Sequence, residues 1–171
     1  EGMKQPASMI EHAEWVLPAH PDKLCDAVAD AIVDRIRRVD PFGKVGLEVA
    51  CVFHHLVLTG RIAVVDEALL ASVRGEALRD LVQEVYRSAG YGADAAGFRW
   101  DPLPESLEIL DLRRMGAFDP GEREVRAFSD DQAICVGYAN SDASVGHVPP
   151  AHHLARRIGQ ALFRLRAEEG A

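Results

Sequence analysis

Apolar residues recur at Leu24, Val28, Ala31, Ile32, Ile36 and Val39, the three- and four-residue spacing of one helix face. The spacing predicts a helix over about 22–39. Pro21 fits its first turn, where a missing N–H is no loss, and Asp22 suits the same turn because the helix dipole favours negative charge there. Val39-Asp40-Pro41-Phe42-Gly43 is a strong stop. The period then changes to two. Val45, Leu47, Val49, Cys51 and Phe53 alternate with small or polar residues and predict a strand. A second strand is expected over about Leu56–Val65, close enough to form an antiparallel hairpin with the first. Glu48 falls in mid-strand, where a carboxylate is costly if buried alone. Helical spacing returns over 66–88 through Leu69, Leu70, Val73, Leu78, Leu81, Val82 and Val85. Gly75 interrupts it and Gly90-Tyr91-Gly92 closes it.

Further on, Phe98 to Pro102 reads as a loop and Leu107–Leu112 as a short strand. Residues 113–129, rich in Arg, Gly and Glu, read as a mobile surface loop. Asp130 to Ala139 reads as an acidic turn feeding a buried strand. A last helix is expected over about Pro150–Glu168, with Leu154, Ile158, Leu162 and Leu165 facing inward. This order of elements predicts an α+β fold, with helices packed on one face of a mixed or antiparallel sheet. Residues 1–14 are expected to be a flexible N-terminal segment, and 15–171 one compact unit, open to division into two interleaved subdomains.

Composition narrows the function classes. At 171 residues and 48% apolar, the chain can bury a real core. A net charge of -8 argues against a nucleic-acid binder and against an anionic membrane surface. No apolar run reaches membrane-spanning length, and the N-terminus lacks a signal-peptide pattern. Cys25, Cys51 and Cys135 are odd in number, widely spaced and set in apolar runs, which predicts buried free thiols and a reducing cytoplasm. His54-His55 and His152-His153 look like ligand pairs, but neither has a third ligand at zinc spacing, so both read as ordinary histidines.

The candidate chemistry sits in Ala19-His20-Pro21-Asp22-Lys23. An imidazole, a carboxylate and an ammonium group stand at the mouth of a buried helix, where a metal ion and phosphates can both be held. Further segments follow in order: Cys25-Asp26 with Asp30, Glu48 after Asp40-Pro41, Asp131-Gln132 before Val136-Gly137-Tyr138-Ala139, and Pro149 leading to His153-Leu154. Together they resemble the N-terminal part of the S-adenosylmethionine synthetase (methionine adenosyltransferase) family. The resemblance implies that family's fold and a reaction in which the methionine sulfur attacks C5′ of ATP. The triphosphate departs and is then cleaved to phosphate and diphosphate. The sulfur needs no general base, so cations and donors around the leaving triphosphate carry the catalysis. By resemblance, His20 contacts the triphosphate, Asp22 binds Mg2+ and Glu48 binds K+. Asp131 and Gln132 line the methionine and adenosine pocket, Glu14 lies near it, and Lys23 joins His20 and Asp131 as catalytic.

Two features depart from that pattern. Thr59-Gly60-Arg61 stands where the family has Gly-Gly-Glu, a reversal of charge, and Leu110 to Arg126 stands where the family has a methionine-binding lid. Family chains are also more than twice as long. The expectation is a split enzyme in which a second subunit carries the missing C-terminal two-thirds and shares the active site. The alternatives are a phosphohydrolase or a transferase to another acceptor on the same triphosphate site, and a non-catalytic regulatory subunit.

Overall fold

A computed structural model of the chain describes residues 10–93, 99–125 and 134–169. These fall into two compact units: residues 18–125 form the larger, and residues 10–17 with 134–169 the smaller. The larger unit begins with α1 (Pro21–Arg37), followed by the hairpin β1 (Lys44–Val52) and β2 (His55–Val64). A 3-10 turn at Glu67–Val73 leads into α2 (Gly75–Ser88), so the expected break at Gly75 is real. A small ribbon, β3 (Gly92–Ala93) with β4 (Arg99–Trp100), precedes β5 (Glu108–Asp111), β6 (Arg114–Ala117) and α3 (Glu122–Val125).

The main sheet is mixed. β1 runs antiparallel to β2 with Val52 opposite His55, leaving Phe53-His54 as a two-residue turn. β5 and β6 both run parallel to β2, beside His55–Leu58 and Arg61–Val64 respectively. They form one edge strand broken at Leu112-Arg113. Leu24, Val28, Ile32 and Ile36 of α1 and Leu78, Val82 and Tyr86 of α2 pack with Leu56, Leu58, Ile62 and Val64 into one core. Successive strand residues point to opposite faces, so Gly46, Glu48, Ala50 and Val52 are exposed on the face turned away from α1. This is the α+β arrangement the sequence predicts. Gly60 sits where the hairpin strands approach closely: its φ is 111°, and a Cβ there would lie 2.2 Å from the Gly46 carbonyl oxygen.

Several expectations are corrected. Val39 is 69% exposed, because α1 ends at Arg37 and the chain folds back so that Asp40, not Val39, is buried. Residues 114–117 and 122–125 are strand and helix rather than loop. Pairing with the second half of β2 organises the first, and Arg113 between the strands is buried. Arg99–Trp100 is a short strand, not a loop. In the smaller unit, residues 134–139 form no strand, and Ile134, Val136 and Tyr138 are exposed, because no strand among the described residues lies beside them. Cys135 is likewise exposed, while Cys25 and Cys51 are half-buried. Helix α4 (Pro150–Glu169) is present, but Leu154, Ile158, Leu162 and Leu165 face outward. The side of α4 that packs is marked by buried Gly159, over which the Trp15 indole lies. Residues 1–9 of the expected N-terminal segment and residues 126–133 lie outside the described residues.

Candidate nucleotide-phosphate site

His20 is the N-cap of α1, with extended backbone (φ -66°, ψ 138°). Its Nδ1 accepts a hydrogen bond from the Asp22 amide at 3.2 Å. With Nδ1 accepting, the ring proton of the neutral imidazole is on Nε2, which makes that nitrogen a donor. The Asp22 carboxylate lies 3.9 Å from Nδ1, and the two side chains are 40% and 88% exposed. Lys23 follows, exposed, on the first turn. The positive end of the α1 dipole is therefore flanked by an imidazole donor, an ammonium group and one solvent-facing carboxylate.

The start of this helix is anchored from below. The Tyr91 hydroxyl donates to the Ala19 carbonyl at 3.0 Å, and the Cys51 thiol reaches the Pro21 carbonyl at 3.8 Å. Tyr86 packs its ring against Tyr91 at 5.3 Å. Burial, with the neighbouring Cys51 thiol, pushes the Cys25 thiol up to about 12. Burial also raises the Tyr86 phenol. These groups stay protonated at neutral pH, so they add no negative charge beneath the helix start, and the Cys25 thiol is a poor nucleophile.

Two other expected site residues, Glu48 and Glu14, belong to other segments of the chain. Glu48 is exposed on the outer sheet face, paired opposite Thr59. Arg61 shares that outer face by alternation, and it is not a loose cation. Its Nε and Nη2 meet the two Glu122 carboxylate oxygens at 3.1 and 2.8 Å, and Nη2 also donates to the Ala117 carbonyl at 2.6 Å. The charge reversal at Arg61 is thus answered by an acid from α3, which sequence reading missed although a largely covered arginine calls for one. Glu14 is exposed in the smaller unit, next to Trp15, whose ring meets His152 edge-on at 5.7 Å and carries the Arg156 guanidinium at 5.5 Å. The same unit holds an open cleft of about 590 Å³ bordered by Ile10, His12, Tyr138, Val148 and His152. Asp131 and Gln132 lie outside the described residues.

A family model described as S-adenosylmethionine synthetase, N-terminal domain, matches residues 8–110. The chain belongs to the S-adenosylmethionine synthetase family. It is 28% identical over 166 residues to an S-adenosylmethionine synthase of Brachyspira hyodysenteriae, covering 92% of this chain and 40% of that one. It is 31% identical over 169 residues to an S-adenosylmethionine synthase of a Bradyrhizobium species, covering 91% and 41%. Among solved structures it is similar to one titled as an unusual S-adenosylmethionine synthetase from Campylobacter jejuni. That match has a TM-score of 0.53 and 23% identity over 62% of this chain and 26% of the other, and it bears on the fold alone. The chain spans about two-fifths of the length of the curated relatives it matches. No helix among the described residues is long and apolar enough to cross a membrane.

Proposed function

We propose that this chain is the triphosphate-gripping part of an S-adenosylmethionine-forming enzyme, working in the cytoplasm with a second polypeptide that supplies the remaining wall of the site. The observation that carries the reading is the α1 start: the His20 Nε2 donor, Lys23, the helix amides and the exposed Asp22 carboxylate together suit a polyphosphate and its cation. His20 and Lys23 hold phosphate oxygens, and the α1 dipole favours the charge that grows on the leaving triphosphate. Asp22 fits magnesium, which takes one or two carboxylates together with phosphate oxygens. No lysine or arginine pairs with it among the described residues. Glu48, also a hard oxygen donor, is assigned to potassium. Bound there, these cations would offset the charge of the departing triphosphate. Glu14, Asp131 and Gln132 are assigned to the methionine and adenosine side.

One observation favours a second reading. Arg61, locked to Glu122, occupies the place of the family's methionine-binding glutamate, which points to polyphosphate hydrolysis without methionine. One assay separates the two. The chain is purified alone and with the product of a neighbouring gene, then given ATP, magnesium, potassium and methionine, and both S-adenosylmethionine and phosphate are followed. Methionine-dependent product from the pair supports the first reading. Phosphate release that ignores methionine supports the second. Silence in every combination refutes both and leaves a regulatory subunit.

A further inference from the structure

The hairpin tip gathers a second set of ligands, none of them a residue assigned to the proposed nucleotide site, and the inference does not rest on that reading. His54 lies in the two-residue turn, His55 opens β2, and the parallel register sets Glu108 of β5 directly beside His55. The Glu108 amide donates to the His54 carbonyl at 2.8 Å, tying the two segments together. The His55 Nε2 is 3.2 Å from one Glu108 carboxylate oxygen, and the His54 Nε2 is 3.9 Å from the other. The two imidazole rings stand 4.0 Å apart, centroid to centroid. One ligand atom from each of the three side chains fits within 4.8 Å of the others. Among the described residues it is the one such trio of metal-ligand side chains.

We infer that His54, His55 and Glu108 form a binding site for a borderline divalent transition ion of the zinc class. Two imidazoles and a carboxylate are the donors such ions take, whereas magnesium prefers oxygen alone. Tetrahedral bonds of about 2.0–2.1 Å put neighbouring ligand atoms about 3.4 Å apart. The His55–Glu108 pair at 3.2 Å already stands at that separation, and one ligand atom from each of the three side chains lies within 4.8 Å of the others. The frame below is rigid, because Leu56 and Leu107, next in sequence to two of the ligands, are buried in the core. Glu108 has no lysine or arginine partner among the described residues, so its charge is available to the ion. Three protein ligands leave at least one coordination position for water or a small anion. The pair His54-His55 looks incomplete along the chain because the third ligand comes across the sheet.

The test uses the whole chain without a polyhistidine tag. Zinc is titrated by calorimetry in excess magnesium, and cobalt(II) by its visible spectrum. The expected result is one zinc per chain at micromolar affinity or better, with a cobalt spectrum of four- or five-coordinate nitrogen and oxygen ligation. His55→Ala and Glu108→Gln should each weaken zinc by about tenfold or more, while His12→Ala leaves it unchanged. Circular dichroism checks that the variants fold, and the wild-type cobalt spectrum needs no variant. The inference is overturned by a titration that shows no zinc heat, by a cobalt spectrum identical to that of the hydrated ion, or by binding that survives His55→Ala and Glu108→Gln.

Discussion

Arg113 is one of the two charged residues buried among the described residues, and replacing its partner tests the break between β5 and β6. The Arg113 side chain is fully buried and that of Asp111 is 26% exposed. Nε meets Oδ1 and Nη2 meets Oδ2, both at 2.7 Å, and Nη2 also donates to the Val73 carbonyl at 2.7 Å. Asp111→Asn removes one charge of the pair and strands the guanidinium. Removing one member of a buried pair costs about 3–5 kcal/mol, and the partial exposure of Asp111 places this case near 3 kcal/mol. Domains are stable by about 5–15 kcal/mol, so the loss is large. With a urea slope of about 1–3 kcal/mol per molar, the midpoint should fall by roughly 1–3 M. Proton linkage supplies an internal control. Burial pushes the Asp111 carboxyl up, but the hydrogen bonds and charge of Arg113 outweigh it and hold the group below the usual range. The unfolded chain therefore binds this proton more readily than the native one, and the pair's contribution rises with pH. It is complete above the ordinary aspartate value of about 3.9 and is lost as pH falls through the lower native value. The gap between wild type and Asp111→Asn should be full at neutral pH and shrink in acid. A gap under about 1 kcal/mol at neutral pH, or one that stays constant into acid, would refute the reasoning.

Other substitutions probe the frame and the site. Gly60→Ala should lower soluble yield and cost about 4 kcal/mol or more, because its Cβ would meet the Gly46 oxygen at 2.2 Å and the Leu47 Cα at 3.0 Å; a thermal midpoint within a few degrees of wild type would count against the close approach. Asp40→Ala orphans the amides of Phe42 and Val65, now bonded at 2.9 and 2.7 Å, and leaves the Gly43 amide only its 3.1 Å bond to the Asp40 carbonyl. Each bond to a charged acceptor is worth about 1.5–3 kcal/mol, and with water replacing part of them a urea titration should show a loss of about 3–4 kcal/mol. His20→Asn keeps a capping oxygen and should hold stability, whereas His20→Ala should lose about 1 kcal/mol. Both should slow triphosphate departure about 10²–10³-fold if the Nε2 proton is the donor, and wild-type turnover in His20→Asn would remove it from the site.

What was legible in the chain was what local chemistry dictates. α1 announces itself through Pro21 at its first turn and the buried series from Leu24 to Ile36. The hairpin follows from alternation, and its register puts Glu48 outward as the alternation implies. β6 was invisible because Arg114-Met115-Gly116-Ala117 has no period of its own and is a strand only through pairing with β2. On α4 the periodicity marked an apolar face correctly, but a period cannot say whether anything covers that face. Sites behave the same way. His20 and Asp22 are neighbours in sequence and so were readable together, whereas Glu108 reaches His55, and Glu122 reaches Arg61, only through the sheet.

The uncovered faces bear on the proposed partner. Val52, Phe53, Leu110 and Leu112 are all more than half exposed at the outer sheet face and hairpin tip. Burying a whole aliphatic or aromatic side chain gains about 1.5–3 kcal/mol, so covering the exposed parts of these four is worth roughly 4–8 kcal/mol. Association costs about 4–15 kcal/mol in lost freedom, so this face alone no more than breaks even. A stable complex buries about 800 Å² on each side, which calls for a second surface. α4 carries one of similar worth in its own unit, where Leu154, Ile158, Leu162 and Leu165 are each more than half exposed. The ion pair adds little to the cost of covering the sheet. Arg61 and Glu122 are only 17% and 13% exposed, so most of their desolvation is already met within the chain. An unpaired arginine on the same strand would have opposed any partner laid over Thr59 and Glu48. By pairing Arg61 internally, α3 makes the outer face one that an apolar partner surface can cover.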